Sequence, residues 1–193
     1  MISHSEYDGF IRRLSQLPKG SSESYKGPIY RFANPRFSSN DLIMSGRGAL
    51  SHSGRWHPAG RFRCLYGTTT PETALQEALS EKRYYALPDD TALPKLLVCI
   101  EANLFHLLNL TDGKIRQRMR LSLNNIVNCH WRDENSFDNK ESITQAFGRA
   151  VHEKGFEGLI VPSSAHQPQG VNLVIFPDNK LHDHSLKLKT PLD

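Results

Sequence analysis

The 193-residue sequence has few cysteines, and they are not spaced as in disulfide frameworks or metal sites. Cys64, Cys99 and Cys129 are odd in number and far apart, which argues against a set of disulfides. The nearest histidine groupings, Cys129-His130 and His182-Asp183-His184, lack the second half of a tetrahedral ligand spacing. We therefore expect free thiols and no bound metal.

Long hydrophobic runs are also missing. No apolar stretch approaches the roughly 18 residues that a membrane span requires. Residues 1–10 lack the basic and apolar regions of a secretory leader. These absences predict no membrane partner and favour the reducing cytoplasm, with delivery as a secreted effector as the alternative.

Several common catalytic signatures do not occur. The sequence contains no GxxxxGK[ST] loop, no GxGxxG after a strand, no GxSxG elbow and no HExxH. P-loop, kinase, Rossmann and α/β-hydrolase assignments are therefore disfavoured. Hydrophobic residues make up 38% and charged residues 23% of the chain, which is typical of a folded protein of about one domain.

Apolar periodicity divides the chain into helices and strands. It predicts helices over 5–17, 71–84 and 143–154. Strand-like runs occur at 29–32, 63–67, 95–105, 156–162 and 170–176. Because helices are inserted irregularly among the strands, the pattern predicts a single α+β domain. Its parts are an N-terminal amphipathic helix and linker (1–28), a central body (29–177) and a polar, peripheral tail (178–193).

The helix predicted at 71–84 carries an acidic side chain at the edge of its apolar face. Thr70 is the expected N-cap and Pro71 the first helical residue. The predicted buried positions are Ala74, Leu75, Ala78 and Leu79. Glu77 lies beside them, so it either forms an ion pair with an arginine or performs chemistry.

Positive charge is concentrated in one part of the chain. The net charge is only +4, but residues 26–66 hold seven cationic side chains against the single acid Asp41. Six of the seven are arginines, whose planar guanidinium suits bidentate contact with phosphate or carboxylate. The segment is either an anion-binding site or a solvated basic face.

Three ordered blocks resemble the RES domain family, which is named for an arginine, a glutamate and a serine. They are IYRF (29–32), the central SGRGALSHSGRWHPAGRFRCLYGTTTPETALQEAL (45–79) and TQAFGRAVHEKGFEGLIVPSSAHQPQGVNLVIFP (144–177). The resemblance implies that residues 29–177 form a RES-like catalytic domain with a fold similar to ADP-ribosyltransferase catalytic domains. It also implies an enzyme that breaks the nicotinamide–ribose bond of NAD and acts as a toxin held inactive by a helix-turn-helix antitoxin.

The resemblance also assigns the candidate site residues. It implies Arg31, Glu77 and a serine as the catalytic set; alignment on Asn172 selects Ser164 and alignment on Pro162 selects Ser163. Substrate-binding candidates are Arg31, Arg47, Arg55, Tyr66, Ser163 and Ser164. Two positions depart from the family pattern: His57 replaces the usual asparagine after GRW, and His166 stands where an arginine is common.

The acceptor of the ribosyl group is left open by the sequence. Water would make the protein a glycohydrolase, inorganic phosphate as co-substrate a phosphorylase, and a protein side chain an ADP-ribosyltransferase. No cofactor beyond NAD as substrate is expected. The other classes are a nucleic-acid-binding module and a ribonuclease toxin with His57 or His166 as general base and Glu77 as partner. Both are ranked below NAD cleavage, so no direct nucleic-acid contact is expected. The oligomeric state is open, and a homo-oligomer is one possibility.

Overall fold

The fold combines α-helices with one strongly connected β-sheet. The computed structural model describes residues 1–35, 39–89, 96–182 and 185–189. Within these ranges the helices are α1 (Tyr7–Ser15), α2 (Asn40–Met44), α3 (Pro71–Tyr84), α4 (Gly113–Met119), α5 (Leu123–Val127), α6 (Trp131–Ser136) and α7 (Ile143–Glu153). The strands are β1 (Glu23–Ala33), β2 (Leu65–Thr68), β3 (Leu96–Asn109), β4 (Gly158–Pro162), β5 (Val171–Ile175) and β6 (Leu186–Lys189).

The sheet closes on itself. Its strand order is β1-β2-β5-β4-β3-β6, and β1 also pairs with β3 along nearly its whole length. The strands β1, β2, β5, β4 and β3 therefore form a ring, and β6 pairs with β3. The neighbours are antiparallel except for the parallel pair β3–β4 among the strands described. This order places β2, which carries Tyr66, between β1, which carries Arg31, and β5, which carries Asn172.

Apolar side chains pack on both faces of this ring. Successive side chains of a strand point to opposite faces, and in β5 Leu173 and Ile175 join one cluster while Val174 joins the other. The first cluster also contains Ile29, Leu65, Ile100 and Leu104 from the other strands. The second lies under the helices and includes Phe10, Trp56, Phe147, Leu159 and Phe176. The sheet is thus the shared wall of two cores.

The N-terminal helix is part of the second core. Phe10 and Leu14 of α1 are buried, and the Phe10 ring meets Phe147 of α7 edge to face with centroids 5.0 Å apart. Arg149 of α7 stacks over the Tyr7 ring and pairs with buried Glu141 at 2.8 Å. Helix α1 therefore braces the domain through α7.

Helices α3 and α7 begin where the sequence predicts. The Thr70 side chain accepts a hydrogen bond from Thr73 N–H at 3.2 Å, and Pro71 opens α3. Ser142 and Gln145 form a reciprocal capping box at the start of α7. The predicted burial of Leu75 is wrong, since it is 39% exposed. Helix α3 covers only the β1–β2 side of the sheet, so part of its surface faces outward.

Two segments predicted to be irregular contain strands. β1 begins at Glu23, inside the segment 19–28 that the sequence suggests is a linker, because its pairing with β3 extends to Leu107. β6 lies inside the segment predicted to be a polar peripheral tail, and Leu186 packs with the first core. Arg36 and residue 95, at the start of a predicted strand, lie outside the described residues.

Candidate active site

Glu77 is the acidic side chain at the centre of the candidate site. It projects from the second turn of α3 and is half-buried. Ser163 Oγ donates a hydrogen bond to Glu77 Oε1 at 2.7 Å, and Asn172 Nδ2 donates to the same oxygen at 2.6 Å. The second oxygen, Oε2, has no hydrogen-bond partner among the described residues. One oxygen is therefore fixed, and the other is available to a ligand.

Glu77 forms no ion pair in the part of the chain that the structure describes. Within the described residues, no lysine, arginine or histidine nitrogen lies within 4.0 Å of its carboxylate. The donors to Glu77, a hydroxyl and an amide, are neutral, so they do not neutralise its negative charge. The charge can therefore act on a ligand in the cleft. The structural alternative raised by the sequence, an ion pair with an arginine, is therefore not what the structure contains.

The two candidate serines differ in their surroundings. Ser163 follows β4, is only 1% exposed, and its Oγ also accepts hydrogen bonds from the N–H groups of Ala165 and His166. Gly170 closes this loop, since a Cβ there would lie 2.7 Å from Ser163 Cβ. Ser164 is half-buried and lines the cavity that Glu77 also lines. Ser163 thus positions the carboxylate, and Ser164 faces the cavity.

Arg55 reaches the same cavity from the loop before β2. Its Nη1 donates to the carbonyl oxygens of Ile126 at 2.8 Å and Cys129 at 3.2 Å. Burial lowers the pKa of Arg55, while the nearby charge of Glu77 acts in the opposite direction. Carbonyl groups orient a guanidinium without cancelling its charge, so Arg55 remains a charged donor toward the cavity.

Arg31 is the second cation, and it comes from β1. Its Nε is buried without a hydrogen-bond partner, and it forms no ion pair within the described residues. Burial lowers the pKa of Arg31 as well. Burying a guanidinium with an unpaired N–H donor lowers the stability of the folded protein, unless an anion accepts a hydrogen bond from that donor. This geometry is that of an anion receptor.

Tyr66 of β2 is fixed by the loop that carries Arg55. Trp56 N–H donates to the Tyr66 hydroxyl at 3.1 Å, and His57 Nδ1 lies 2.9 Å from that hydroxyl. His57 Nε2 lies 3.0 Å from the His52 carbonyl oxygen, which can only accept, so Nε2 carries the proton and Tyr66 donates to Nδ1. Burial lowers the pKa of His57 to about 4 and raises that of Tyr66, so both are neutral at pH 7.

Helix α7 holds this loop from behind. Gln145, fully buried, donates from Nε2 to the Gly54 carbonyl oxygen at 2.9 Å. A Cβ on Gly148 would lie 1.9 Å from the Trp56 carbonyl oxygen, so glycine is needed for the helix to approach the loop. The position of Arg55 therefore depends on α7.

The candidate residues surround two adjoining cavities. One of about 740 Å³ is lined by Glu77, Arg55, Tyr66 and Ser164. The other, of about 490 Å³, is lined by Arg31 together with Tyr66 and Glu77. Both volumes lie within the usual 300–1,000 Å³ of small-molecule sites. Since Tyr66 and Glu77 line both, the two cavities form one cleft.

Arg47 is the candidate that the structure does not bring to Glu77. It is exposed and lines a separate cavity of about 270 Å³, which Arg31 and Tyr66 also border. Sequence reasoning missed Asn172 as a partner of Glu77 and Glu81 as a lining residue of both main cavities. Glu81 was detectable, because it follows Glu77 by one helical turn and therefore shares its face.

The comparisons with known proteins identify the family of this chain and its fold. Residues 28–191 match the RES domain family, so this chain belongs to that family. A chain from the crystal structure of the M. tuberculosis MbcT–MbcA toxin–antitoxin complex has the same fold, with a TM-score of 0.75. The two are 20% identical, and the match covers 95% of this chain and 90% of the other. No curated protein matches. The predicted α+β class is confirmed.

Two further properties concern ligands and membranes. Within the described ranges, no cluster of three or more histidine, cysteine, aspartate or glutamate side chains is arranged to hold a metal ion. None of the helices described has the length and apolar character needed to cross a bilayer.

Proposed function

We propose that this protein is an NAD-degrading toxin that breaks the bond between nicotinamide and ribose. The observation that carries the proposal is the Glu77 carboxylate, held at one oxygen by Ser163 and Asn172 and, among the described residues, not ion-paired with a cation. It faces a cleft into which two arginines without carboxylate partners project. Membership of the RES family supports an NAD-processing reaction.

The chemistry requires charge stabilisation more than proton transfer. In NAD the ring nitrogen of nicotinamide carries a positive charge, so when the C1′–N bond breaks the bonding electron pair leaves with a neutral nicotinamide. The positive charge then develops on C1′ and the ring oxygen of the ribose. A preorganised carboxylate stabilises such an oxocarbenium-like centre. Glu77 performs this role, with Oε1 fixed and Oε2 directed to the ribose or its 2′-hydroxyl.

The remaining candidates bind the rest of the dinucleotide. Arg31 and Arg55 contact the pyrophosphate oxygens, for which charged guanidinium donors are well suited. The Tyr66 ring forms a wall for nicotinamide, and Ser164 donates its hydroxyl to the amide or the adjacent ribose. Arg47 adds positive charge from the neighbouring cavity. Binding energy along the substrate thus fixes the reacting carbon against Glu77.

The acceptor distinguishes three forms of the reaction. Attack of water on C1′ gives ADP-ribose and a proton, attack of inorganic phosphate gives ADP-ribose 1″-phosphate, and attack of a side chain gives an ADP-ribosylated protein. The arginine excess of residues 26–66 leaves cationic side chains beyond the two assigned to the pyrophosphate, which favours phosphate as the acceptor. A transferase acting on a protein target remains the alternative.

The partner we propose is a helix-turn-helix antitoxin that covers the cleft. The similar fold occurs in a chain of a toxin–antitoxin complex, which supports a protein inhibitor here. Because NAD is a cytoplasmic metabolite, the toxin acts in a cytoplasm, either of its own cell or of a cell that receives it.

The ribonuclease alternative is less well supported. A general base must have a nitrogen within reach of the substrate. Both ring nitrogens of His57 are engaged, and the side chain is only 4% exposed. His166 Nδ1 is hydrogen-bonded to Thr73 Oγ1 at 2.9 Å. Neither histidine is paired with Glu77.

The test measures nicotinamide release from NAD with and without phosphate, using wild-type protein and Glu77→Gln. The amide oxygen can still accept from Ser163 and Asn172, so we expect turnover to be abolished with the melting temperature nearly unchanged. Glu72→Gln, an exposed neutralisation in the same helix, is the matched control. Absence of nicotinamide release by folded, inhibitor-free wild type, with and without phosphate, would falsify the proposal.

A further inference from the structure

One end of the larger cavity is an aromatic and cationic surface that the proposed chemistry does not use. Tyr84, the last residue of α3, lines it together with Trp131 and Arg132 at the start of α6. The Arg132 guanidinium carbon lies 4.9 Å from the centroid of the Tyr84 ring and 4.4 Å from that of Trp131. We call these three side chains the aromatic rim.

The aromatic rim is held in place across two helices. The Tyr84 hydroxyl is hydrogen-bonded to Asp133, one residue beyond Arg132 in α6. The rings are not buried in either core; Tyr84 is 43% exposed, and Trp131 is half-buried. Planar groups that are ordered but partly uncovered present faces on which another planar group can stack.

The rim lies at a definite distance from the reacting centre. Tyr84 is seven residues after Glu77 in the same helix, which places it about 10 Å further along the axis at 1.5 Å per residue. Arg55 borders both the large cavity and the smaller pocket of about 250 Å³ beside Trp131 and Arg132. The order along the cleft is carboxylate, arginine and aromatic surface.

We propose that the aromatic rim binds the adenine base of the dinucleotide. This inference rests on the proposed function, because it takes the nicotinamide ribose to lie at Glu77. A dinucleotide carries its two bases at opposite ends of a diribose pyrophosphate, which is long enough to span this distance. With the pyrophosphate at Arg55, the second base reaches the rim. Adenine is planar and uncharged, so it stacks on the rings and on the guanidinium plane of Arg132.

Comparing NAD with nicotinamide mononucleotide distinguishes adenine binding at the rim from cleavage at Glu77. Nicotinamide mononucleotide has the same scissile bond as NAD and lacks the adenylate half. The variants are Trp131→Ala, which removes a stacking face, and Trp131→Phe, which keeps one. Phe137→Ala is the matched control, since Phe137 immediately follows the same helix, is 83% exposed and does not line the cavity. AMP binding is measured by calorimetry alongside the kinetics.

We expect Trp131→Ala to raise the KM for NAD and the Kd for AMP about tenfold. The same variant should leave kcat/KM for nicotinamide mononucleotide unchanged, and Trp131→Phe should restore most of the loss. Equal losses for both substrates, or unchanged AMP binding in Trp131→Ala, would overturn the assignment. If wild type does not cleave NAD, the proposed function fails while AMP binding still tests the rim.

Discussion

At the scale of single residues, the environment of Glu77 decides what its carboxylate can do. Its two partners are neutral donors that come from the end of β4 and from β5, not cations. Neutral donors fix the orientation of the carboxylate without neutralising it, whereas an arginine would form an ion pair that neutralises its charge. The site therefore resembles a binding surface for a developing cation more than a structural ion pair.

The two adjacent serines should have separable effects. Ser163→Ala removes a donor to Glu77 and an acceptor for two backbone N–H groups. We expect it to lower kcat roughly 10- to 100-fold and the free energy of unfolding by about 1–3 kcal/mol. Ser164→Ala should instead raise KM with stability unchanged. The measurements are nicotinamide release and urea denaturation, and a larger loss of kcat in Ser164→Ala would contradict this division.

His57 should make stability depend on pH. Its pKa is about 4 in the folded protein and 6.5 when unperturbed, so between these values the unfolded chain binds a proton that the folded protein does not. The free energy of unfolding therefore falls as the pH falls from 6.5 to 4, by up to about 3 kcal/mol. His57→Asn, with the usual family residue, should lack this contribution. Urea unfolding at pH 7 and pH 4.5 measures it, and equal pH dependence in both proteins would refute it.

At the scale of elements, α7 positions the loop that carries Arg55 through a close approach and one hydrogen bond. Gly148 lets the helix contact Trp56, and Gln145 holds the carbonyl of Gly54. Neither residue lines the main cavities. Both act on substrate only through the loop that carries Arg55, so they are positioning residues.

Gly148→Ala tests this relation. The new Cβ would lie 1.9 Å from the Trp56 carbonyl oxygen, a contact that requires the helix or the loop to move. We expect a loss of about 3 kcal/mol in the free energy of unfolding and a higher KM for NAD in the protein that remains folded. Gly113→Ala is the control, since its nearest neighbour is the flexible end of Arg116 at 3.5 Å. Thermal melts and steady-state kinetics check both, and equal behaviour of the two variants would contradict the prediction.

The long helices were predictable from the sequence, and the short ones were not. The sequence predicts α3 and α7 because each has an N-cap residue and apolar residues at helical spacing. Helices α4, α5 and α6 have only five to seven residues, too few for periodicity to be read, and their stability comes from packing. As a result, Trp131 and Arg132, which border the cleft, carried no signal. β6 did carry one, the alternation Leu-Lys-Leu-Lys, but over just four residues.

At the scale of the whole molecule, two cores share one closed sheet, and α1 belongs to the core under the helices. The sequence indicated an amphipathic α1 but not what it contacts. The position of its partner, α7, follows from the sheet topology, which depends on the long-range pairing of β1 with β3. The Glu77–Asn172 contact, 95 residues apart in sequence, is likewise a product of strand order that local patterns do not contain.

Phe10→Ala tests whether α1 is a brace. Phe10 is fully buried against Phe147, so its removal should lower the free energy of unfolding by about 3–5 kcal/mol. Activity per folded molecule should be unchanged, because α1 does not line the cleft. Arg12→Ala, exposed in the same helix, should behave as wild type in urea denaturation. A loss of activity without a loss of stability would instead indicate a direct role for α1 in the site.

The strand order also sets when the protein becomes active during its synthesis. Arg31, Arg55 and Glu77 are translated early, but the donors that fix the carboxylate follow only at Ser163 and Asn172. At about 5–20 residues per second, a ribosome needs about 5–20 s to cover the 95 residues from Glu77 to Asn172. Incomplete chains therefore lack the assembled centre. A cell that makes this protein therefore has that interval before any activity that depends on Glu77 can begin.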